Sequence, residues 1–222
     1  MHLEKHLTAS ALQTLVDQLR ARAGELATEV TLAWREVNVL CRRQNLLALL
    51  TLLRDDAACQ FKQLVDISGA DYPNREKRFD VVYHLLSLSL NQRVRVRVQV
   101  QDGASVPSAV GVFPNANWYE REVYDMFGVS FENHPDLRRI LSDYDFAGHP
   151  LRKDFPLEGE VELFYDPAQG RCVYRPTALK QEFRHFDQVS TWAGMGHNAH
   201  LAEEDKPFSL DEFAAPTEAP KA

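Results

Sequence analysis

The chain has 222 residues, 45% of them hydrophobic and 26% charged, with a formal net charge of -7 and a sequence pI near 5.6. That composition belongs to an ordinary globular protein with apolar material enough for a core. It excludes the basic footprint of a nucleic-acid binder, and no run of about 18 uncharged apolar residues is present to span a bilayer.

Ser10 is a plausible N-cap for a first helix, whose apolar positions Leu12, Leu15, Val16 and Leu19 recur at helical spacing before Gly24. From Leu26 to Cys41, Val30, Leu32, Trp34, Val37 and Val39 alternate with polar residues, which suits one bent strand or a hairpin. Leu46 to Leu53 reads as a buried helix closed by Arg54-Asp55-Asp56. Three strands are predicted next, Phe61 to Ser68, Phe79 to Leu90 and Arg93 to Val100, the last two joined as an antiparallel hairpin around Asn91-Gln92. The third alternates strictly, with Val94, Val96, Val98 and Val100 inward and Arg93, Arg95, Arg97 and Gln99 on a solvated face. After Pro114 the pattern predicts a helix capped by Asn117, with Glu120 completing a capping box and Gly128 ending it. Tyr119, Val123, Met126 and Phe127 share its packing face, and Arg121 and Asp125 form an i, i+4 pair elsewhere on its surface.

The fold expected is α+β: a compact sheet-and-helix domain over residues 1–131, then a long extended arm punctuated by prolines. The arm covers 132–192, and 193–222 forms an acidic flexible tail. Within the arm His134-Pro135-Asp136-Leu137-Arg138-Arg139 is echoed by His149-Pro150-Leu151-Arg152-Lys153-Asp154. Each sets a rigid His-Pro step before a leucine and two cations, fixing extended backbone and offering cationic donors to carboxylates or carbonyls. The aromatics of the run 179–187 lack neighbours to bury them, as in an arm lying over a partner.

Chemistry in this chain alone has little support. Cys41, Cys59 and Cys172 are isolated and odd in number, fitting a reducing interior, and a four-thiolate iron–sulfur cluster needs one more. His134 and His149 read as turn residues rather than metal ligands. His197 and His200 are a better-spaced pair, though a polar tail accounts for them more simply. Glu120, Glu122 and Asp125 as general acids or bases require a cleft, and salt bridging or interface contact is favoured. No dinucleotide, phosphate-loop or nucleophile-elbow motif is present.

The run Glu120-Arg121-Glu122, with Asp125-Met126-Phe127, His134, Arg138 and Ile140-Leu141, resembles the signature of the C subunit of respiratory complex I, the proton-pumping NADH:quinone oxidoreductase. The resemblance extends over about residues 25 to 192. It takes in Asp71-Tyr72-Pro73, the run from Arg78 to Leu86, Asn117-Trp118, the run from Gly148 to Leu157 and Leu179-Lys180-Gln181-Glu182-Phe183. It implies an unfused, bacterial-type peripheral-arm subunit without a redox centre, set beside the D subunit and near the cluster-bearing B subunit on the cytoplasmic face of the inner membrane. FMN, iron–sulfur clusters and quinone would then belong to partner subunits. The partner contacts expected on this view are a patch of Glu120, Arg121, Glu122 and Asp125, and an arm anchored by His134, Asp136, Arg138, Arg139, His149, Arg152, Lys153 and Asp154. The alternatives are the equivalent subunit of a related membrane-bound hydrogenase-type complex, a free-standing enzyme using the acidic cluster around Glu120, and a metal-binding protein using His197 and His200.

Overall fold

A computed structural model describes residues 9–143 and 146–181; the expected tail at 193–222, with His197 and His200, and most of the run 179–187 lie outside them. The chain divides into two compact units, Met1–Phe155 and Pro156–Ala222.

The first unit is a five-stranded mixed sheet in the order β1-β2-β5-β4-β3. It begins with α1 (Ala9–Ala23), a helix that already includes Ser10, and ends at Gly24, whose φ of +49° breaks the helix into a 3-10 turn. The stretch left open between a bent strand and a hairpin is a hairpin. β1 (Ala27–Ala33) and β2 (Glu36–Cys41) turn through Trp34 and Arg35 alone, both at positive φ, which matches the right-handed strand twist. α2 (Leu46–Asp55) buries Leu46, Leu49, Leu50 and Leu53. β3 (Gln63–Asp71), β4 (Phe79–Ser87) and β5 (Gln92–Val100) follow as an antiparallel meander. The meander returns β5 to the sheet centre, where it pairs with β2 in parallel.

Register carries the alternation of β5 across the whole sheet. Val39, Val96, Tyr83 and Ile67 lie in one row, and Val37, Val94, Leu85 and Leu64 in another, all buried against α1, α2 and α3. The opposite face is polar and, at most of its positions, half-buried rather than freely solvated. Arg95 bonds Asn38 and Glu36, and Arg97 and Arg75 approach the buried Asp80 at 3.6 and 3.5 Å. The third buried row, Cys41, Val98 and Val81, ends at Gly69.

α3 (Ala116–Phe127) packs on β3 at that glycine. Its N-cap is Asn115, two residues before the expected Asn117, and no side chain caps it. The capping box does not form because the Glu120 carboxylate turns instead to Ser108 and Ala109. Flanking the helix, β6 (Ser105–Pro107) and β7 (Ser130–Glu132) form a short parallel pair. The compact unit continues to Phe155 rather than closing at Phe131, because residues 134–142 and 148–154 are bonded into α3 and the β3–β4 hairpin, as described below.

The second unit, described to Gln181, contains β8 (Val161–Asp166) and β9 (Arg171–Pro176), an antiparallel hairpin where extended chain was expected. Its turn is Pro167-Ala168-Gln169-Gly170, with Asp166 accepting from the Ala168 amide and Gly170 at a φ of +64°. No described helix is long and apolar enough to cross a membrane.

A Cβ on Gly69 would stand 2.5 Å from the Phe127 ring, which is itself set edge-on against Phe79 with centroids 6.5 Å apart. Gly69→Ala is therefore expected to destabilise the chain by about 1–3 kcal/mol through overpacking, read as a lower urea midpoint with an unchanged slope. A midpoint equal to wild type would show that α3 shifts freely on β3.

Candidate partner interface

The last turn of an α-helix leaves four carbonyls without intrahelical partners, and in α3 each of the four is taken. The Gly128 amide donates to the Tyr124 carbonyl at 2.9 Å, with Gly128 left-handed at a φ of +77°. His149 Nδ1 lies 2.9 Å from the Asp125 carbonyl, the Leu151 amide donates to Met126 at 3.1 Å, and Arg152 Nε donates to Phe127 at 2.7 Å. The second His-Pro-Leu-Arg passage is thus the cap of α3. The approach is close enough that a Cβ on Gly128 would meet His149 Nε2 at 2.5 Å and the Arg152 guanidinium at 2.7 Å. Arg152 also holds Asp102 with both terminal nitrogens at 3.1 Å.

The first passage is tied to the same turn by Asp125, which is fully buried. Its Oδ1 accepts from Arg139 at 2.9 Å, and its Oδ2 accepts from the amides of Ile140, Leu141 and Ser142 at 2.9, 2.7 and 2.9 Å. Burial alone would raise this carboxyl. The donors at Ser142, Leu141 and Ile140 outweigh it and hold the group far below its ordinary range. Its contribution to stability is then present above the ordinary carboxyl pKa and lost as pH falls through the depressed value.

A third brace joins the arm to the β3–β4 hairpin. Arg78 forks onto Asp71 at 2.7 and 2.8 Å and reaches Asp154 at 2.8 Å, while the Lys153 amide donates to Asp71 at 2.8 Å. Arg78 and Arg152 both lie over the Phe79 ring, at 5.1 and 5.0 Å from its centroid.

Glu120 is the other buried carboxylate of α3. It accepts from the Ser108 hydroxyl at 2.7 Å and the Ala109 amide at 2.6 Å. The His134 ring is 3.9 Å away, but its Nδ1 accepts from the Asp136 amide, which leaves Nε2 to donate to the Asn117 carbonyl at 3.1 Å. Lacking a cation, Glu120 is pushed by burial up to about 7.

These contacts redistribute the residues expected to face a partner. Glu120, Arg121 and Asp125 are buried, so the expected patch of four is not an outward patch. The supposed Arg121–Asp125 pair is absent too: Arg121 points to Asp136 at 3.2 Å and Asp125 to Arg139. Segments beyond the helix, not the helix itself, supply the compensating groups. His134, Arg139, His149 and Arg152 are half-buried and bonded within the chain. Glu122, Asp136, Arg138, Lys153 and Asp154 remain exposed.

Three apolar side chains join that exposed set, namely Trp118 at 59%, Leu141 at 63% and Leu151 at 54%. Trp118 lies under the Arg121 guanidinium at 4.8 Å, and Asp136 bridges Arg121 to Arg138. Arg121 Nε and Asn117 Oδ1 are buried with no hydrogen-bond partner among the described residues. A tryptophan one residue outside the packing face of a helix was the available sequence signal for this surface.

The family model for the respiratory-chain NADH dehydrogenase 30 kDa subunit matches residues 39–161. A protein of Methylobacterium sp. (strain 4-46) named as the C subunit of NADH-quinone oxidoreductase is 52% identical over 206 residues, 93% of this chain and 96% of that one. The protein of the same name from Brucella abortus (strain 2308) is 56% identical over 188 residues, 85% and 93% of the two chains. Among solved structures, a chain of the membrane-bound sulfane sulfur reductase, an archaeal respiratory membrane complex, superposes with a TM-score of 0.56. It is 26% identical, and the match covers 65% of this chain and 85% of that one.

Two substitutions test this arrangement. Asp125→Asn leaves Arg139 and three amides facing a neutral group, and a loss of about 3 kcal/mol is expected, the scale of a broken buried ion pair, in urea unfolding at neutral pH. Glu120 has the opposite sign: its folded pKa is raised from 4.5 to about 7, so its carboxyl favours the folded state below pH 4.5 and that contribution disappears as pH rises through 7. Glu120→Gln should therefore gain on wild type by roughly 3 kcal/mol between pH 4.5 and 7.5. Parallel stability profiles for the two proteins would show that Glu120 is ionised throughout.

Proposed function

The chain belongs to the family of NADH-quinone oxidoreductase C subunits, the 30 kDa subunits of respiratory-chain NADH dehydrogenase, and from that premise we propose that it acts as a positioning subunit rather than a redox carrier. It stands beside the D subunit and near the B subunit at the quinone-reducing end of the assembly. It lies on the cytoplasmic face of the inner membrane and is peripheral to it. FMN, iron–sulfur clusters and quinone are held by other subunits, whose electron transfer and coupled proton translocation depend on fixed register between them.

The observation that carries this reading is the outer face of α3, where half-exposed Trp118 stacks on an arginine that keeps one unbonded Nε–H. Tryptophan and arginine dominate binding energy where they anchor a desolvated patch, and the charges of Glu122, Asp136 and Arg138 supply a polar rim. The remainder of the signature supports the same role. Its charged residues are spent on holding the end of α3 rigid, which fixes the surface that carries Trp118. The cysteine count supports a chain without a four-thiolate cluster, since the chain carries three cysteines and such a cluster needs four.

The equivalent subunit of a related membrane-bound complex is the second reading, favoured by the likeness to the archaeal reductase chain. Purification from native membranes through a tag on this chain separates the two, since the first requires NADH:quinone activity and cluster-bearing partners in the recovered assembly.

Arg138 and Arg139 have different work on this view. Arg138→Ala removes an exposed rim charge and should leave folding intact while weakening retention in the assembly several-fold at low ionic strength, a difference that shrinks as added salt screens it. Arg139→Ala unpairs the buried Asp125 and should lower the unfolding midpoint of the isolated chain. Equal retention of wild type and Arg138→Ala in low-salt washes would remove Arg138 from the interface.

A further inference from the structure

At about 3.6 residues per turn, the i+3 and i+4 neighbours of a helical residue stand on opposite sides of it. On α3 this sets Arg121 on one flank of Trp118 and Glu122 on the other. The two flanks are unlike. Arg121 is buried and committed: its guanidinium covers the indole at 4.8 Å and reaches Asp136 at 3.2 Å, where Arg138 Nε also donates at 3.0 Å. The Glu122 side chain is exposed and has no hydrogen-bond or ion-pair partner among the described residues. With Arg121 on one side of the ring, the open part of Trp118 lies on the flank of a carboxylate that lacks a cation.

We infer that this flank receives an arginine of a neighbouring subunit, its guanidinium stacked on the open indole face and paired with the Glu122 carboxylate. Both halves of the site ask for a cation. The ring presents the negative face of its quadrupole, strongest in tryptophan, and Glu122 sets a full negative charge beside it. Arginine satisfies both at once, because its planar guanidinium stacks through its face while its forked donors meet a carboxylate along its edge; an ammonium is a point charge without that plane. An acidic segment would meet like charge at Glu122, and an apolar one would desolvate that carboxylate without pairing it. The formal net charge of -7 also disfavours a second copy of the chain and favours a basic partner surface. The inference rests on the subunit reading above and gives the partner at α3 a chemical class.

The assembly is purified from native membranes through a tag on the full-length chain, and retention of the chain is measured in washes of rising ionic strength. Glu122→Gln should be retained several-fold less than wild type at low salt, the gap closing as salt screens it. Glu122→Lys should fall about tenfold, and Glu122→Asp should stay within roughly twofold of wild type. Trp118→Leu keeps apolar bulk without the ring and should also lose several-fold. Adding Glu122→Gln to it should cost less than Glu122→Gln alone, since the two side chains hold one cation. Both residues are exposed, so urea midpoints of the full-length variants should match wild type; Glu122→Gln, nearly isosteric, carries the test if a larger change disturbs α3. Wild-type retention of Glu122→Gln and Glu122→Lys beside a loss for Trp118→Leu overturns this inference and leaves the subunit reading standing. Tighter retention of Glu122→Lys, the mark of an acidic partner, overturns it as well, and so do strictly additive losses. A zero-length carbodiimide cross-link from Glu122 to a neighbouring chain would reveal a lysine and overturn the choice of arginine. Absence of the chain from any such assembly overturns the subunit reading beneath it.

Discussion

A helix that ends over a sheet edge must find donors for its last carbonyls, and in this chain that requirement organises the segment from Phe127 to Phe155. Asp125 gathers Arg139 and three consecutive amides from one side, and His149, Leu151 and Arg152 close the carbonyls from the other. Both groups come from segments that contribute little apolar core of their own. Their conformation is fixed by hydrogen bonding to one helix terminus, where the donors are charged or aligned and the acceptors are shielded from water. The Arg78–Asp71–Asp154 cluster extends the same brace to the β3–β4 hairpin. A surface built on this helix is held by several independent attachments, which is what preorganised binding requires.

The two buried carboxylates of α3 show how environment divides one chemical group into two roles. Asp125 has four donors around its charge and stays ionised. Glu120 has two, no cation, and a neighbouring imidazole whose proton is already committed to the Asn117 carbonyl. Neither lies exposed on the surface for a substrate to meet, and the charged signature of the family is, in this chain, largely a folding device with a narrow exposed margin at Trp118, Glu122, Asp136 and Arg138.

Sequence patterning was most informative where periodicity and burial agree. The strict alternation in β5 marked its inward face, and the apolar spacing of α1 and α2 marked their buried sides. The parallel pairing of β2 with β5 was not legible, because alternation says which face a residue takes and nothing about its neighbour across the ladder. The Trp34-Arg35 turn carries positive φ on residues that seldom adopt it, so the hairpin had no Asn-Gly signal. The β8–β9 hairpin was masked by exposed apolar residues on both sides, although Asp166 and Gly170 flanked a readable turn. At the site, charge identified the right segments and the wrong surface. Arg121 and Asp125 fit an i, i+4 pair on any helical wheel, and only tertiary donors and acceptors from residues 136 and 139–142 decide that each turns elsewhere.

The parallel seam at the sheet centre also dictates an order of events during synthesis. Val37 and Val39 leave the ribosome long before their ladder partners Val94 and Val96, so the nascent β1–β2 hairpin carries an open apolar edge until the whole meander has emerged. Non-local pairing of this kind is slow to nucleate, and an exposed strand edge recruits other chains. Release of the α3 terminus from solvent waits longer still, for Arg152. The nascent polypeptide is therefore most vulnerable to misassociation over the middle of its translation, and slowing elongation before β5 would lengthen that exposure rather than aid folding.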